Sequence, residues 1–162
     1  MIDFLIENKN WEDAFGEYKK LYAENLSEEV AVGFAFFCWY LLWQWDEISF
    51  SGENLSPYEK INADKRNGIS KKDLGNYLDE TSDYILNSKT PEYIALIYHM
   101  KKLYPYFFKN SDCRKIFTHS EAANIIFAYS DDRKYSPQER KIVVDFFSRF
   151  ALIKDYFQWL LQ

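Results

Sequence analysis

An arginine and a histidine set five positions apart are the residues of this chain whose types and spacing suggest catalysis. Arg114 and His119 bound the segment Arg-Lys-Ile-Phe-Thr-His, an R-x4-H pattern. Histidine ionises near neutral pH and can both donate and accept a proton, while arginine carries a permanent charge that stabilises a developing anion. The pair has the chemistry needed to cleave a phosphodiester without a metal ion.

The R-x4-H string resembles the motif of HEPN ribonucleases and covers six residues of this chain. In that family the arginine and histidine of two protomers meet at a dimer interface, and the histidine acts on the ribose 2′-hydroxyl. The polar residue that the family often carries after its arginine is Lys115 here. The resemblance implies a homodimeric, metal-independent ribonuclease with Arg114 and His119 as catalytic residues, and this is our alternative functional hypothesis.

The second histidine, His99, lies in an apolar helical segment between Tyr98 and Met100. A histidine in such a position is more often a hydrogen-bonded core or boundary residue than a catalytic one. An acid–base pair with His119 remains open.

Other common catalytic and metal-binding patterns are missing from the sequence. The five glycines are scattered, so no loop has the clustered glycines that let backbone approach phosphate. Two histidines and two remote cysteines, Cys38 and Cys113, form no zinc quartet by spacing. Asp79, Glu80 and Asp83 could share a cation on one helical face, but a solvated face is the favoured interpretation. We therefore expect no cofactor and no bound metal.

The longest apolar segment must be positioned in the interior. Sixteen residues from Val30 to Trp45 carry no charge, and the apolar residues are not confined to one helical stripe. A membrane span needs roughly 17 to 25 apolar residues, and this shorter run is bracketed by the acids Glu29 and Asp46. The sequence therefore predicts a central helix covered by neighbouring helices, and no membrane association.

Seven capping residues predict where helices begin. Between them apolar residues recur at helical spacing, and no segment shows the alternation typical of a strand. We expect an all-α fold of about seven helices, packed as antiparallel hairpins in a helical bundle or a short α-solenoid, within a single domain that spans residues 1–162. The capping residues are Asn10, Ser27, Ser56, Ser70, Thr90, Ser120 and Ser136.

Two further segments have specific expectations. The stretches 49–56 and 62–70 have the composition of surface connections, and Asn67-Gly68 could stop a short helix. The last segment, 151–162, stays apolar almost to its end and must dock on the rest of the protein or on another chain.

Acidic residues are concentrated in the first third of the chain. Residues 1–55 hold eleven acids and three bases, a net charge of −8, whereas the remaining residues have a net charge of +3. Such an acidic region repels nucleic acid and steers a basic partner, although an ordinary solvated surface is an equal alternative. We expect a basic protein partner and no direct nucleic-acid binding.

A small, acidic, helical chain without catalytic equipment is similar in class to the immunity proteins that neutralise bacterial toxins, many of them basic nucleases. The class implies an inhibitor, for which a monomer is favoured. The remote, unpaired cysteines and the lack of a signal-peptide pattern after Met1 lead us to expect a cytoplasmic protein. An adaptor or subunit of a larger assembly is a third possibility. Exposed tyrosines often anchor protein interfaces. The predicted partner-binding residues are Glu12, Asp13, Glu17, Glu24, Glu28, Glu29, Tyr104 and Tyr106.

Overall fold

The structure, a computed structural model, describes residues 1–50, 65–66, 68–112, 120–128 and 134–161. These ranges contain eight α-helices, one 3-10 turn (Pro105–Phe107) and two strands of two residues each. The all-α fold is confirmed. The helices are α1 (Ile2–Glu7), α2 (Trp11–Glu24), α3 (Glu28–Phe50), α4 (Lys71–Leu86), α5 (Pro91–Leu103), α6 (Glu121–Ala128), α7 (Pro137–Phe146) and α8 (Ala151–Leu160), and the strands are β1 (Lys65–Arg66) and β2 (Ile69–Ser70).

The chain divides into two compact units, Met1–Thr81 and Ser82–Gln162, with the boundary inside α4. In the first unit α1 packs against α2, and α2 packs against α3. In the second unit the successive pairs α5–α6, α6–α7 and α7–α8 pack together. Consecutive helices are therefore neighbours within each unit, as short connections favour. The single domain spanning 1–162 stays a prediction.

Helix α3 is the interior element of the first unit, as the uncharged run predicted. Residues 31–39 are buried without interruption, so the helix is covered on all sides over more than two turns. Its largest fully buried side chain is Trp39. Among the residues that the structure describes, no helix has the combined length and apolarity needed to cross a membrane.

Aromatic rings join α2 to α3 in the first unit. Tyr18 of α2 lies parallel to Phe34 of α3, with ring centroids 5.2 Å apart. Phe15 meets Phe34 edge-on at 5.8 Å, and Phe34 lies 5.0 Å from Tyr77 of α4. Ring pairs with these spacings stabilise a core beyond simple burial. They fix one face of α2 against the interior and leave its opposite face toward solvent.

Hydrogen bonds confirm most of the predicted helix starts. The Ser136 side chain accepts a hydrogen bond from the Glu139 backbone amide at 3.1 Å, and the Glu139 carboxylate accepts one from the Ser136 amide, which is a complete capping box. Thr90 occupies the N-cap position of α5 without a capping hydrogen bond. Ser56 lies outside the described residues. At four other helix starts the capping side chain accepts a hydrogen bond from the backbone amide three residues later. These capping residues are Asn10, Ser27, Ser70 and Ser120.

Three local features differ from the sequence-based expectations. Helix α1 has no capping side chain, so nothing marked its start. The strands β1 and β2 pair antiparallel, and Gly68 lies in their connection with φ of +73° instead of ending a short helix. A positive φ suits a hairpin turn as well as a helix end, and this explains the wrong expectation for Gly68. Asn67 lies outside the described residues, and α3 continues through Phe50, into the stretch expected to be a connection.

The C-terminal helix docks on its own unit. Phe157 of α8 stacks on Phe147 at 5.5 Å, and both rings are fully buried. Ile153 and Tyr156 are also buried. The expectation that the apolar last segment must dock is thereby met within the second unit. Trp159 points outward and is 59% exposed.

Candidate partner-binding surface

Helix α2 positions most of the predicted acidic contact residues. It starts at Trp11 because Asn10 accepts a hydrogen bond from the Asp13 amide, and the Asn10 side-chain amide donates to the Asp13 carboxylate at 2.8 Å. Ala14, Phe15 and Tyr18 form its buried face. Because α2 turns once every 3.6 residues, the acids at intervening positions lie on the opposite side.

The acids of α2 reach solvent as predicted. Glu12, Asp13 and Glu24 are exposed, and Glu17 is half-buried. Within the described part of the chain, Glu12, Glu17 and Glu24 take part in no ion pair. The structure thus places these carboxylates on the broad solvent side of α2, which also carries Lys19 and Lys20, and none of the three is in an ion pair with a described residue.

Glu28 and Glu29 occupy the first turn of α3, where carboxylates interact favourably with the helix dipole. Glu28 is half-buried and Glu29 is exposed. Both have interactions with other residues of the chain. Their position has a structural explanation, so they are weaker candidates for a partner contact than the acids of α2.

An open groove of about 450 Å³ lies between α1 and the solvent face of α2. We call it the α1–α2 groove. It brings three predicted acids together with apolar side chains that sequence reasoning missed. Its lining residues are Met1, Leu5, Glu12, Asp13, Gly16, Glu17 and Lys19.

Gly16 leaves space in the middle of this groove. A Cβ atom built at Gly16 would meet no other atom within 4 Å. Glycine in a helix interior costs roughly 0.5–1 kcal/mol relative to alanine, so helix stability does not explain its presence. The absence of a side chain keeps the groove open between Glu12 and Glu17.

The basic side chain that lines the groove also contacts an aromatic ring. The Lys19 ammonium lies 4.7 Å from the centre of the Phe15 ring, a cation–π contact. Lys20 is exposed on the solvent face of α2. Three acids and one lysine therefore line the α1–α2 groove, which gives it a net negative charge.

Glu12 also approaches the hairpin. A Cβ atom built on Gly68 would lie 2.5 Å from Cδ of Glu12, so the carboxylate occupies space that the missing side chain of Gly68 leaves open. The Glu12 side chain therefore lies against Gly68 and also lines the α1–α2 groove.

A hydrogen bond holds α2 to α4 on the other flank of α2. The Tyr22 hydroxyl donates to the Glu80 carboxylate at 3.3 Å. Partial burial, followed by the charge of Glu80, raises the pKa of Tyr22 and of Tyr77 above the usual value.

Within the described residues, no three His, Cys, Asp or Glu side chains are grouped to hold a metal ion, and this includes Asp79, Glu80 and Asp83.

The predicted tyrosines belong to the second unit. Tyr106 is 60% exposed and Tyr104 is half-buried, with their ring centroids 5.9 Å apart. Tyr106 also packs edge-on against Phe107 at 4.6 Å. These rings form a continuous aromatic cluster with Leu103 at its edge, where α5 ends before Pro105.

His99 is a core residue, as the favoured interpretation held. It is 4% exposed, and its Nε2 lies 2.7 Å from the Tyr156 hydroxyl. Burial, and to a smaller extent the positive charge of Lys102, lower the pKa of His99 to about 3. Cys38 is likewise buried, and burial raises the pKa of its thiol well above the ordinary value.

The structure does not describe the residues on which the ribonuclease alternative depends. Arg114 and His119 lie in 113–119, outside the described residues, as does Cys113. The ribonuclease hypothesis therefore stays a prediction from the R-x4-H pattern.

Comparison with known proteins assigns this chain to no family. No family model, no curated protein and no solved structure matches this chain.

Proposed function

We propose that this chain is a non-catalytic protein-binding module, most specifically an immunity- or antitoxin-like inhibitor that sequesters a basic partner such as a nuclease toxin. The observation that supports the proposal is the solvent face of α2. Glu12 and Glu24 are exposed there, Glu17 is partly exposed, and none of the three has an ion-pair partner among the described residues.

Four acids outnumber the two lysines on the solvent side of α2, so a cationic partner meets a net negative charge there. The acids also act at a distance, since the field of clustered charge raises the association rate of an oppositely charged protein. Carboxylates carry the same sign of charge as the phosphates that a basic nuclease binds, so the solvent side of α2 suits a basic cleft.

The scaffold under this face is rigid. Tyr18 stacks on Phe34 within 3° of parallel, and Phe15 lies 6.3 Å from Phe37. A helix held in this way loses little conformational freedom on binding, which reduces the entropic cost of association. The acids of α2 are thus presented in a fixed arrangement.

Affinity capture with purified chain tests the proposal. The chain is immobilised, exposed to lysate of its own source at low salt, and washed with rising salt. Bound protein is identified by mass spectrometry, and its inhibition is assayed if it is a nuclease. We expect a basic protein that is released as salt rises, because screening weakens exposed charge interactions. A partner without net positive charge would contradict the proposal.

Two variants of equal net charge make the test specific. The α2 neutral variant carries Glu12→Gln, Glu17→Gln and Glu24→Gln. The second-unit control carries Asp83→Asn, Asp145→Asn and Asp155→Asn, which are exposed acids outside the first unit. Capture should be lost with the α2 neutral variant and kept with the control. Equal capture by both would show that the solvent face of α2 is not the contact.

A further inference from the structure

Helix α1 presents apolar side chains to solvent beside the acids of α2. Met1 is 85% exposed and Phe4 is 66% exposed, while Leu5 lines the α1–α2 groove. Only Ile6 of this helix is buried. Exposed apolar side chains next to a groove are characteristic of binding surfaces, because covering them releases water from apolar area.

The two walls of the groove differ in chemistry. One wall has the apolar side chains of Met1 and Leu5, and the other carries Glu12, Asp13 and Glu17 together with Lys19. Gly16 lies between the acids and leaves the space open. A groove of about 450 Å³ has room for one or two large side chains of a partner.

We propose that the α1–α2 groove receives an amphipathic cationic segment of the partner, with an apolar side chain placed over Gly16 between Leu5 and the acid wall. Lysine or arginine residues that flank this anchor would pair with Glu12, Asp13 and Glu17. This inference rests on the proposed function and specifies the partner's contact chemistry. Charge complementarity selects the cationic segment, and the exposed Met1 and the half-buried Leu5, which both line the groove, select its apolar anchor.

Two synthetic peptides of equal length and charge serve as probes. One is a lysine–leucine peptide patterned as an amphipathic helix, and the other replaces each leucine by glycine. Affinities for the full chain are measured by fluorescence anisotropy at one fixed salt concentration. We expect the lysine–leucine peptide to bind at least about tenfold more tightly, because only it supplies an anchor for the groove.

A variant whose own side chain fills the groove tests whether the apolar anchor of the peptide binds there. Gly16→Leu places an apolar side chain where a Cβ meets no atom within 4 Å, so the substitution fits the folded chain. Ala23→Leu adds the same side chain at an exposed position of α2 that does not line the groove. Gly16→Leu should abolish the tenfold preference, and Ala23→Leu should keep it. Circular dichroism verifies that both variants fold.

The outcomes separate this inference from the proposed function. Equal affinity for the two peptides, or an unchanged preference in Gly16→Leu, overturns the anchored groove. Neither result affects salt-dependent capture of a basic protein by the acids of α2. Loss of that capture in the second-unit control, or its persistence in the α2 neutral variant, overturns the proposed function instead. Leu5→Ala gives a second reading, since Leu5 lines the groove and its truncation should weaken binding of the lysine–leucine peptide alone.

Discussion

His99 Nε2 lies 2.7 Å from the Tyr156 hydroxyl in the core of the second unit, a hydrogen bond that joins α5 to α8. Both residues are at most 5% exposed. The uncharged imidazole is the form that this site accommodates, because burial and the charge of Lys102 lower the pKa of His99. The pair is therefore a structural element whose protonation opposes folding.

Acidification should destabilise the fold through His99. Its pKa falls from the ordinary 6.5 to about 3 in the folded state. Above pH 6.5 both states are neutral at this position and His99 contributes no pH dependence. Below pH 6.5 the unfolded chain takes up a proton that the folded chain refuses, so stability is lost progressively toward pH 3. The linkage slope is about 1.4 kcal/mol per pH unit, or about 2 kcal/mol between pH 7 and pH 5.

Urea unfolding at pH 7, 6 and 5 measures this loss. The matched control is the double variant His99→Leu with Tyr156→Phe, which removes both polar partners and leaves a buried apolar pair. Between pH 7 and pH 5 the free energy of unfolding of the control should fall by about 2 kcal/mol less than that of the wild type. If the free energy of unfolding changed equally with pH in the two proteins, the pKa of His99 would not be lowered by folding.

Removing the hydroxyl alone should be costly. Tyr156→Phe leaves His99 Nε2 without this buried partner, and such a loss costs about 1–3 kcal/mol in the free energy of unfolding. Tyr84→Phe removes the hydroxyl of a tyrosine that is 39% exposed and should change stability by less than about 0.5 kcal/mol. Equal effects of the two substitutions would contradict a specific hydrogen bond at Tyr156.

Gly16→Ala should stabilise the protein by about 0.5–1 kcal/mol, because alanine restricts the unfolded chain and its methyl group meets no atom within 4 Å. Gly75 of α4 has equally open space, so Gly75→Ala is the matched control with a similar expected gain. Chemical denaturation gives both values. Destabilisation at Gly16 alongside a gain at Gly75 would mean that the groove is occupied by the chain itself.

Gly68→Ala should destabilise the hairpin connection by about 1–2 kcal/mol, since φ of +73° is unfavourable for any residue with a Cβ. The clash with Glu12 involves the free end of a flexible side chain, which can move away. The cost should therefore persist in a Glu12→Ala background, with a coupling below about 0.5 kcal/mol in the double-mutant cycle. A coupling above about 1 kcal/mol would show that Glu12 is held rigidly against Gly68.

Sequence patterns predicted the features that depend on neighbouring residues. Asn10 and Ser136 cap their helices because capping needs only an amide three positions away. The run Val30–Trp45 indicated burial because no stripe of it could face water. The structure confirms both caps, and it confirms the burial for residues 31–39, whereas Tyr40, Leu41, Trp43 and Gln44 are half-buried.

Contacts between distant positions could not be predicted in the same way. The partner of His99 lies 57 positions away, and the approach of Gly68 to Glu12 joins a hairpin to a helix. The exposure of Phe4 depends on which side of a six-residue helix packs inward, and that helix has no capping signal. The acids of the groove were therefore identified from charge, whereas its apolar wall became evident only from packing.

The association rate between the captured partner and this chain tests the central claim most directly. It is measured by stopped-flow fluorescence at low and high ionic strength for the wild type, the α2 neutral variant and the second-unit control. We expect the wild type and the control to associate at least about tenfold faster at low salt, with most of this acceleration absent in the α2 neutral variant. Equal salt dependence in all three proteins would contradict a role for the acids of α2 in holding a basic partner.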